Sequence, residues 1–329
     1  TYHGAGLLIG QTVGSGGGLT VNWELRGHDL FNLASINNVV LDPTTSGPSK
    51  RLYVSLSSGV TASATESTIT APPPPMGYGI YKSEDRGVTW TKLAVAGSDD
   101  AKPTDLEMDP QSSQVLYAGF LGKGIFKTTN GGATWCPLNP GIALPPGCPS
   151  VFGLPNPTVT TFDHVEISIH RPSVAQAATL YSVFGNCPNP LITSCSPSIY
   201  KSTNGGDTWA LMKAAGPSSY SRYTHVLTIH PADPATVYFG GLRLHKSTNS
   251  GMTLPETGTC TLHPDHQAVV FADPAGCRVT PAKCNRMYNA SDGGFAYSTD
   301  GGVNWQSGND DLQITGFQSI TASPRTDRV

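Results

Sequence analysis

Charged side chains are scarce here: Asp, Glu, Lys and Arg make up 13 % of the 329 residues, against roughly 25 % in an average soluble chain. That shortage excludes helical bundles and coiled coils, whose solvated faces are built from Glu, Lys and Arg. A net charge of −3 excludes disorder driven by charge. Lys and Arg form no run, and the sequence pI is about 6.3, which together exclude an electrostatic nucleic-acid binder. No apolar stretch approaches the roughly 20 residues that a membrane-spanning helix needs. There is no C-x-x-C pair for a zinc ribbon or redox motif, no G-x-S-x-G elbow, no H-E-x-x-H and no Gly-rich phosphate loop. The sequence opens at Thr1 without Met, as expected of a processed or partial chain.

Turn formers and aromatics are plentiful instead. Gly and Pro supply about a fifth of the chain, and there are 12 Tyr, 10 Phe and 5 Trp. Dense turns between aromatic segments predict many short strands. The seven cysteines sit in Pro- and Gly-rich segments. Short-range pairing of Cys136 with Cys148 and of Cys187 with Cys195 would staple two such loops. Cys260, Cys277 and Cys284 are further disulfide candidates, and the odd count leaves one thiol free or bonded outside the chain. The alternative is a set of reduced, buried thiols. The disulfide reading points to an oxidising compartment: secreted, periplasmic or cell-surface.

An internal repeat organises the chain. YKSEDRGVTW (81–90), FKTTNGGATW (126–135), YKSTNGGDTW (200–209), HKSTNSGMTL (245–254) and AYSTDGGVNW (296–305) share a box at 83–90, 128–135, 202–209, 247–254 and 298–305. The pattern reads as a hairpin. An Asp or Asn accepts backbone hydrogen bonds across the turn (Asp85, Asn130, Asn204, Asn249, Asp300). A Gly supplies positive φ (Gly87, Gly132, Gly206, Gly251, Gly302). A Trp plugs the sheet (Trp90, Trp135, Trp209, Trp305), with Leu254 in the fourth copy. Before each box lie an apolar strand, a Pro-containing turn and a strand with a central Tyr, as in INNVVLDP…RLYVSL (36–56). Four strands repeated at about 40–50 residues predict a β-propeller of four-stranded antiparallel blades.

The boxes resemble Asp-box repeats, also called bacterial neuraminidase repeats, of sialidases, xyloglucan-cleaving glycoside hydrolases and sortilin-type receptors. Residues 262–324 are most similar to the sortilin-type and xyloglucanase-like branch. The resemblance covers essentially the whole chain and implies a fold more than a function. It also implies that the boxes are structural and lie on the face opposite the ligand site.

Residues 317–329 read as a first strand with its Pro turn, and 1–30 as the rest of a unit, with Trp23 as the plug of a decayed box. Joined, they predict a sixth blade that closes a single propeller over 1–329. A fragment of a larger propeller is the competing reading.

Function is then expected on the loop face. Long, uncharged loops (57–78, 136–163, 183–198, 210–224, 255–266), with Tyr220, Arg222 and Tyr223, suit a glycan or protein partner, or are tolerated surface insertions. His164, His225 and His266 each open an innermost strand, two of them preceded by Asp163 and Asp265. They could bind an anionic ligand or a divalent metal, or simply cap their strands; the reading adopted is a ligand role without metal or other cofactor. A sialidase-like site would need three Arg, and Arg26, Arg222, Arg278 and Arg286 are in or near loops. A xyloglucanase-like site would need two carboxylates about 6.5–9.5 Å apart, and the candidates are Asp163, Glu166 and Asp265. None lies in a matching family motif. The leading expectation is a non-catalytic binding or structural module; a glycoside hydrolase and an assembly subunit of a larger extracellular complex are the alternatives.

Overall fold

The computed structural model describes residues 6–13, 20–31, 34–57, 76–98, 101–185, 196–217, 226–258 and 262–309. Five antiparallel sheets follow one another as propeller blades. Blade 1 is β3 (Ser35–Leu41), β4 (Leu52–Ser57), β5 (Gly79–Ser83) and β6 (Thr91–Lys92). Blade 2 is β7 (Pro103–Met108), β8 (Leu116–Phe120), β9 (Gly124–Thr128) and β10 (Cys136–Pro137). Blade 3 is β11 (His164–His170), β12 (Thr179–Gly185), β13 (Ser198–Ser202) and β14 (Ala210–Lys213). Blade 4 is β15 (Val226–Ile229), β16 (Val237–Gly240) and β17 (Leu244–Ser247). Blade 5 is β18 (His266–Phe271), β19 (Met287–Ser291), β20 (Gly294–Ser298) and β21 (Gln306–Ser307). In every blade the chain runs from the innermost strand outward. The innermost strands β3, β7, β11, β15 and β18 lie side by side.

Blade 4 departs from the four-strand expectation, having three strands among the described residues. Leu254 replaces the Trp and is followed by Pro255, which has no N–H for a ladder. What survives of a fourth strand is a single bridge between His245 and Glu256.

Six blades were expected, and the described residues form five. Ahead of blade 1 stands a two-stranded sheet, β1 (Leu7–Val13) and β2 (Thr20–Arg26), whose strands, among the described residues, pair with one another alone. Trp23 is not a plug: it lies on β2 and is 66 % exposed. SGGGLTVNW has Gly16 and Gly18, seven and five residues before Trp23, where the five boxes have their hydroxyl and their Asp or Asn. The hairpin nevertheless covers blade 1. Leu7 and Ile9 pack on a cluster containing Phe31, Tyr81 and Trp90, and Ile9 Cδ1 reaches Gly87 as Leu93 reaches Gly132 and Leu138 reaches Gly206. Residues 317–329, expected to share that blade, lie outside the described residues.

The boxes have one geometry. The strand-ending hydroxyl of Ser83, Thr128, Ser202, Ser247 or Ser298 donates to the Asp or Asn two residues on, at 2.8–2.9 Å. It also accepts from the box Gly N–H at 2.7–3.0 Å. The Asp or Asn oxygen then accepts the N–H four residues on, as Thr89 N does to Asp85 at 2.8 Å and Asn304 N to Asp300 at 2.9 Å. The box Gly has φ between 81° and 91°, where a Cβ is disfavoured.

The core sits between blades. Each apolar cluster draws on two neighbouring sheets, as where Tyr117 and Ile125 of blade 2 meet Val165, Ile167 and Phe184 of blade 3. Cys136–Cys148 closes the loop after the second box. Cys277–Cys284 ties α2 (Pro274–Val279) to the turn that follows it. Cys187, Cys195 and Cys260 lie outside the described residues.

Candidate functional site

The inner strands carry a buried polar seam. Asn38 Nδ2 donates to Asp105 Oδ1 across blades 1 and 2 at 2.8 Å. Asp105 Oδ2 accepts Ile167 N of blade 3 at 2.7 Å. Ser168 Oγ accepts Ile229 N of blade 4 at 3.2 Å, and Thr228 donates to Val269 O of blade 5 at 2.7 Å. These side chains do between blades what ladder bonds do within a sheet, because inner strands of adjacent blades cannot pair directly.

Three carboxyls concentrate in that seam: Asp105, Glu107 and Glu166. Burial raises each well above the ordinary carboxylate range, and the charge of a second member of the trio raises each further. Asp105 is partly compensated by the N–H groups of Ile167 and Leu106 and by Asn38. His164 Nε2 lies 3.1 Å from Glu166 Oε2. On the box side the seam opens into a cavity of about 300 Å³ lined by Glu107, Ser168, His170, Thr228 and Arg278.

Blade 5 carries a second constellation on the loop side. Asp265 has a left-handed backbone, φ 65°, and among the described residues its buried Oδ1 has no hydrogen-bond partner. Burial, and then the charge of Asp292, raise its carboxyl, while His263 opposes the shift. Asp292 N donates to Asp265 O, and Gln267 Nε2 to Asp292 Oδ1 at 3.2 Å. His266 is buried against Asn289, and burial pushes its imidazole down to about 4. The Asn289 amide is thereby occupied and fully buried, so the Asn-Ala-Ser sequon at 289–291 is not presented to solvent.

Of the three histidines expected to converge, two lie among the described residues. His164 belongs to the carboxyl seam, His266 is held inside blade 5, and His225 lies outside the described residues, as do Tyr220, Arg222 and Tyr223. Among the acids, Glu166 joins the seam, Asp265 joins the blade 5 rim, and buried Asp163 sits beside Gly185 through its backbone N–H. Among the described residues the three arginines have no common focus: Arg26 pairs with Glu24 on β2, Arg278 lines the cavity, and Arg286 follows a turn. Sequence reasoning missed Asp105, Glu107 and Asp292. The first two stood visible as alternate acids in DLEM, a strand already placed innermost, where the other repeats are mostly apolar.

Five boxes of one geometry, each closing a sheet that stacks on the next, make the fold a β-propeller with Asp-box-type turns. The BNR/Asp-box repeat model matches residues 296–307, the fifth box. A xyloglucanase of Hypocrea jecorina is 29 % identical over 175 residues, which is 49 % of this chain and 19 % of that protein. Xyloglucanase Xgh74A of Acetivibrio thermocellus is 27 % identical over 144 residues, 40 % of this chain and 15 % of the relative. The propeller thus spans less than a fifth of either. An ancestral GH74 enzyme superposes over 87 % of this chain and 33 % of its own, with a TM-score of 0.54 and 18 % identity, which shows a shared fold.

Proposed function

We propose that this propeller is a secreted or cell-surface module that binds a glycan, with a β-glucan such as xyloglucan as the first candidate, and does not cleave it. The observation that carries this reading is the dispersal of the nominated acids. Glu166 is engaged with His164 in the axial seam and Asp265 stands on the rim of blade 5. Asp163 shares neither of these contacts, so the three acids nominated for the pair that inverting hydrolysis requires have separate surroundings. The rim does offer two neighbouring carboxyls, Asp265 and Asp292, with the Gln267 amide beside them, polar groups suited to sugar hydroxyls. Similarity to xyloglucanases supports a glucan as the ligand, and the two disulfides fit an oxidising compartment.

The same similarity favours one alternative, hydrolysis. Affinity electrophoresis in gels containing xyloglucan, with a reducing-end assay on the same samples, separates the two. Retardation without new reducing ends, reduced by Asp265→Asn, supports the binding module. Sustained release of reducing ends overturns it.

A further inference from the structure

Every box is stapled to the connection between the first two strands of its own blade. The residue after the Asp or Asn (Arg86, Gly131, Gly205, Ser250 or Gly301) donates its backbone N–H to a carbonyl of that connection (Lys50, Gln114, Ala178, Ala235 or Asn285) at 2.8–2.9 Å. Two boxes carry Asn followed by Gly, and these are the two Asn-Gly pairs of the sequence: Asn130 with Gly131, and Asn204 with Gly205. Such a pair is chemically labile. Gly has no Cβ to shield its backbone nitrogen, which can attack the side-chain carbonyl carbon of the Asn before it.

The fold blocks that reaction at both partners. The nucleophile is the Gly nitrogen after loss of its proton, and that N–H is engaged by Gln114 O or Ala178 O. The electrophile is the Asn carboxamide, and the residue four positions on clamps it. Asn130 Oδ1 accepts Thr134 N at 2.9 Å while its Nδ2 donates to Thr134 Oγ1 at 2.8 Å. Asn204 makes the same two bonds to Thr208 at 3.0 and 2.9 Å.

The two boxes differ in how firmly the preceding blade holds them. Gly205 O accepts both the Tyr117 hydroxyl at 2.8 Å and Lys127 Nζ at 2.6 Å. Gly131 O accepts the Tyr53 hydroxyl at 3.1 Å. Lys82, which corresponds in blade 1 to Lys127, bonds Glu84 Oε1 at 2.7 Å instead.

We propose that Asn130 is a deamidation site gated by the opening of its box, and that Asn204 is the same kind of site behind a stronger latch. In the open box hydroxide takes the Gly131 amide proton, the nitrogen bonds to Asn130 Cγ, and the carboxamide nitrogen leaves as ammonia. Water then opens the cyclic imide at one carbonyl or the other, giving aspartate or isoaspartate. Aspartate fits, because Asp85 and Asp300 fill this place in boxes of the same geometry. Isoaspartate puts the side-chain methylene into the main chain and so displaces Gly132 N from Thr128 Oγ1, its partner at 3.0 Å. A box that has reacted this way does not reclose, and each opening carries a chance of permanent loss.

The intact chain is held in warm, mildly alkaline buffer, and its peptides are scored by mass spectrometry, with the isoaspartate form resolved by chromatography. Asn130 is expected to react about fivefold faster than Asn204, the worth of one additional hydrogen bond on the second latch. Tyr53→Phe should speed Asn130 about fivefold and leave Asn204 unchanged. Lys127→Met should speed Asn204 by a similar factor and leave Asn130 unchanged. In denaturant the two sites should react at a common rate, faster than either in the fold. Should Tyr53→Phe fail to fold, the ratio of the two sites in the unaltered chain and the Lys127→Met response still decide. Equal rates at the two sites in the fold, a rate in the fold equal to that in denaturant, or an effect of Lys127→Met on both sites alike overturns the proposal.

Discussion

Tyr117 of blade 2 donates its hydroxyl hydrogen to the Gly205 carbonyl in the box turn of blade 3, 2.8 Å away. Lys127 donates to the same carbonyl at 2.6 Å, its Nζ 5.6 Å from the Tyr117 ring centroid. The arrangement recurs as Tyr53 to Gly131, and as Tyr238 with Lys246 to Gly301. Blade 3 varies it, Tyr181 bonding Pro234 O and Lys201 bonding Ser250 Oγ. A box is therefore a socket for the preceding blade as well as a turn. In blade 5, Tyr297 stands where the first four boxes have Lys.

Removing that hydroxyl should loosen one seam without creating a cavity. Tyr117→Phe is expected to cost about 1 kcal/mol, the net worth of a neutral hydrogen bond, rising to about 2 kcal/mol if the Gly205 carbonyl is left short of a donor. Lys127→Met should cost a similar amount. The double variant should fall short of the sum or exceed it, because both donors share one acceptor. Chemical denaturation of the three variants measures the coupling, and strict additivity would refute a shared latch.

The seam carboxyls give a pH dependence of definite sign. Glu107 and Glu166 hold their protons in the fold to higher pH than in the unfolded chain, through burial first and then through the charge of Asp105 on Glu107 and of Glu107 on Glu166. Their contribution to stability is therefore complete below about pH 4.3, the unfolded carboxylate value, and is lost as pH rises through the raised folded values. Glu107→Gln removes an ionisation that the fold resists. It should be more stable than wild type at pH 8, by on the order of 1–3 kcal/mol, with the gap closing towards pH 4. Thermal melts across that range check it; a variant less stable at pH 8 contradicts the assignment.

The blades could be read from the sequence because the box is local. Its hydroxyl, carboxamide or carboxylate, Gly and Trp lie within eight residues, so their spacing alone encodes the turn. The second strands, each with its central Tyr, were legible for the same reason. The sixth blade was not, because 1–30 keeps strand pattern and a Trp but lacks the hydroxyl–Asx anchor, and Trp23 is left outside the core. The site was less legible still. Asp105 meets Asn38 and Ile167 from two other blades at sequence separations of 67 and 62, and nothing in DLEM names those partners.

His266 titrates against the carboxyls. Burial holds its imidazole at about 4, below the unfolded value of about 6.5, with the Asn289 hydrogen bond opposing the shift. The unfolded chain thus binds more protons between those limits. Stability from this residue is full above about pH 6.5 and is lost as pH falls through about 4. Replacing it with Gln, which keeps a polar group for Asn289, should flatten the acid limb by about 2–3 kcal/mol between pH 7 and 4. Denaturant midpoints at the two pH values measure this, and an unchanged slope would assign the acid limb elsewhere, with buried His170 and His245 as the next candidates.

The Cys136–Cys148 bridge closes 12 residues of sequence directly after the second box. Its chief effect is on the unfolded chain, where a loop of that size loses closure entropy worth about 3 kcal/mol. Cys136→Ser with Cys148→Ser should lower stability by about 2–3 kcal/mol, with no change in far-ultraviolet circular dichroism, since β9 and β10 are held by their own ladder and by the Thr128–Asn130 turn. Chemical denaturation of the double variant measures this, and an unchanged midpoint would show that the bridge does not constrain the unfolded chain.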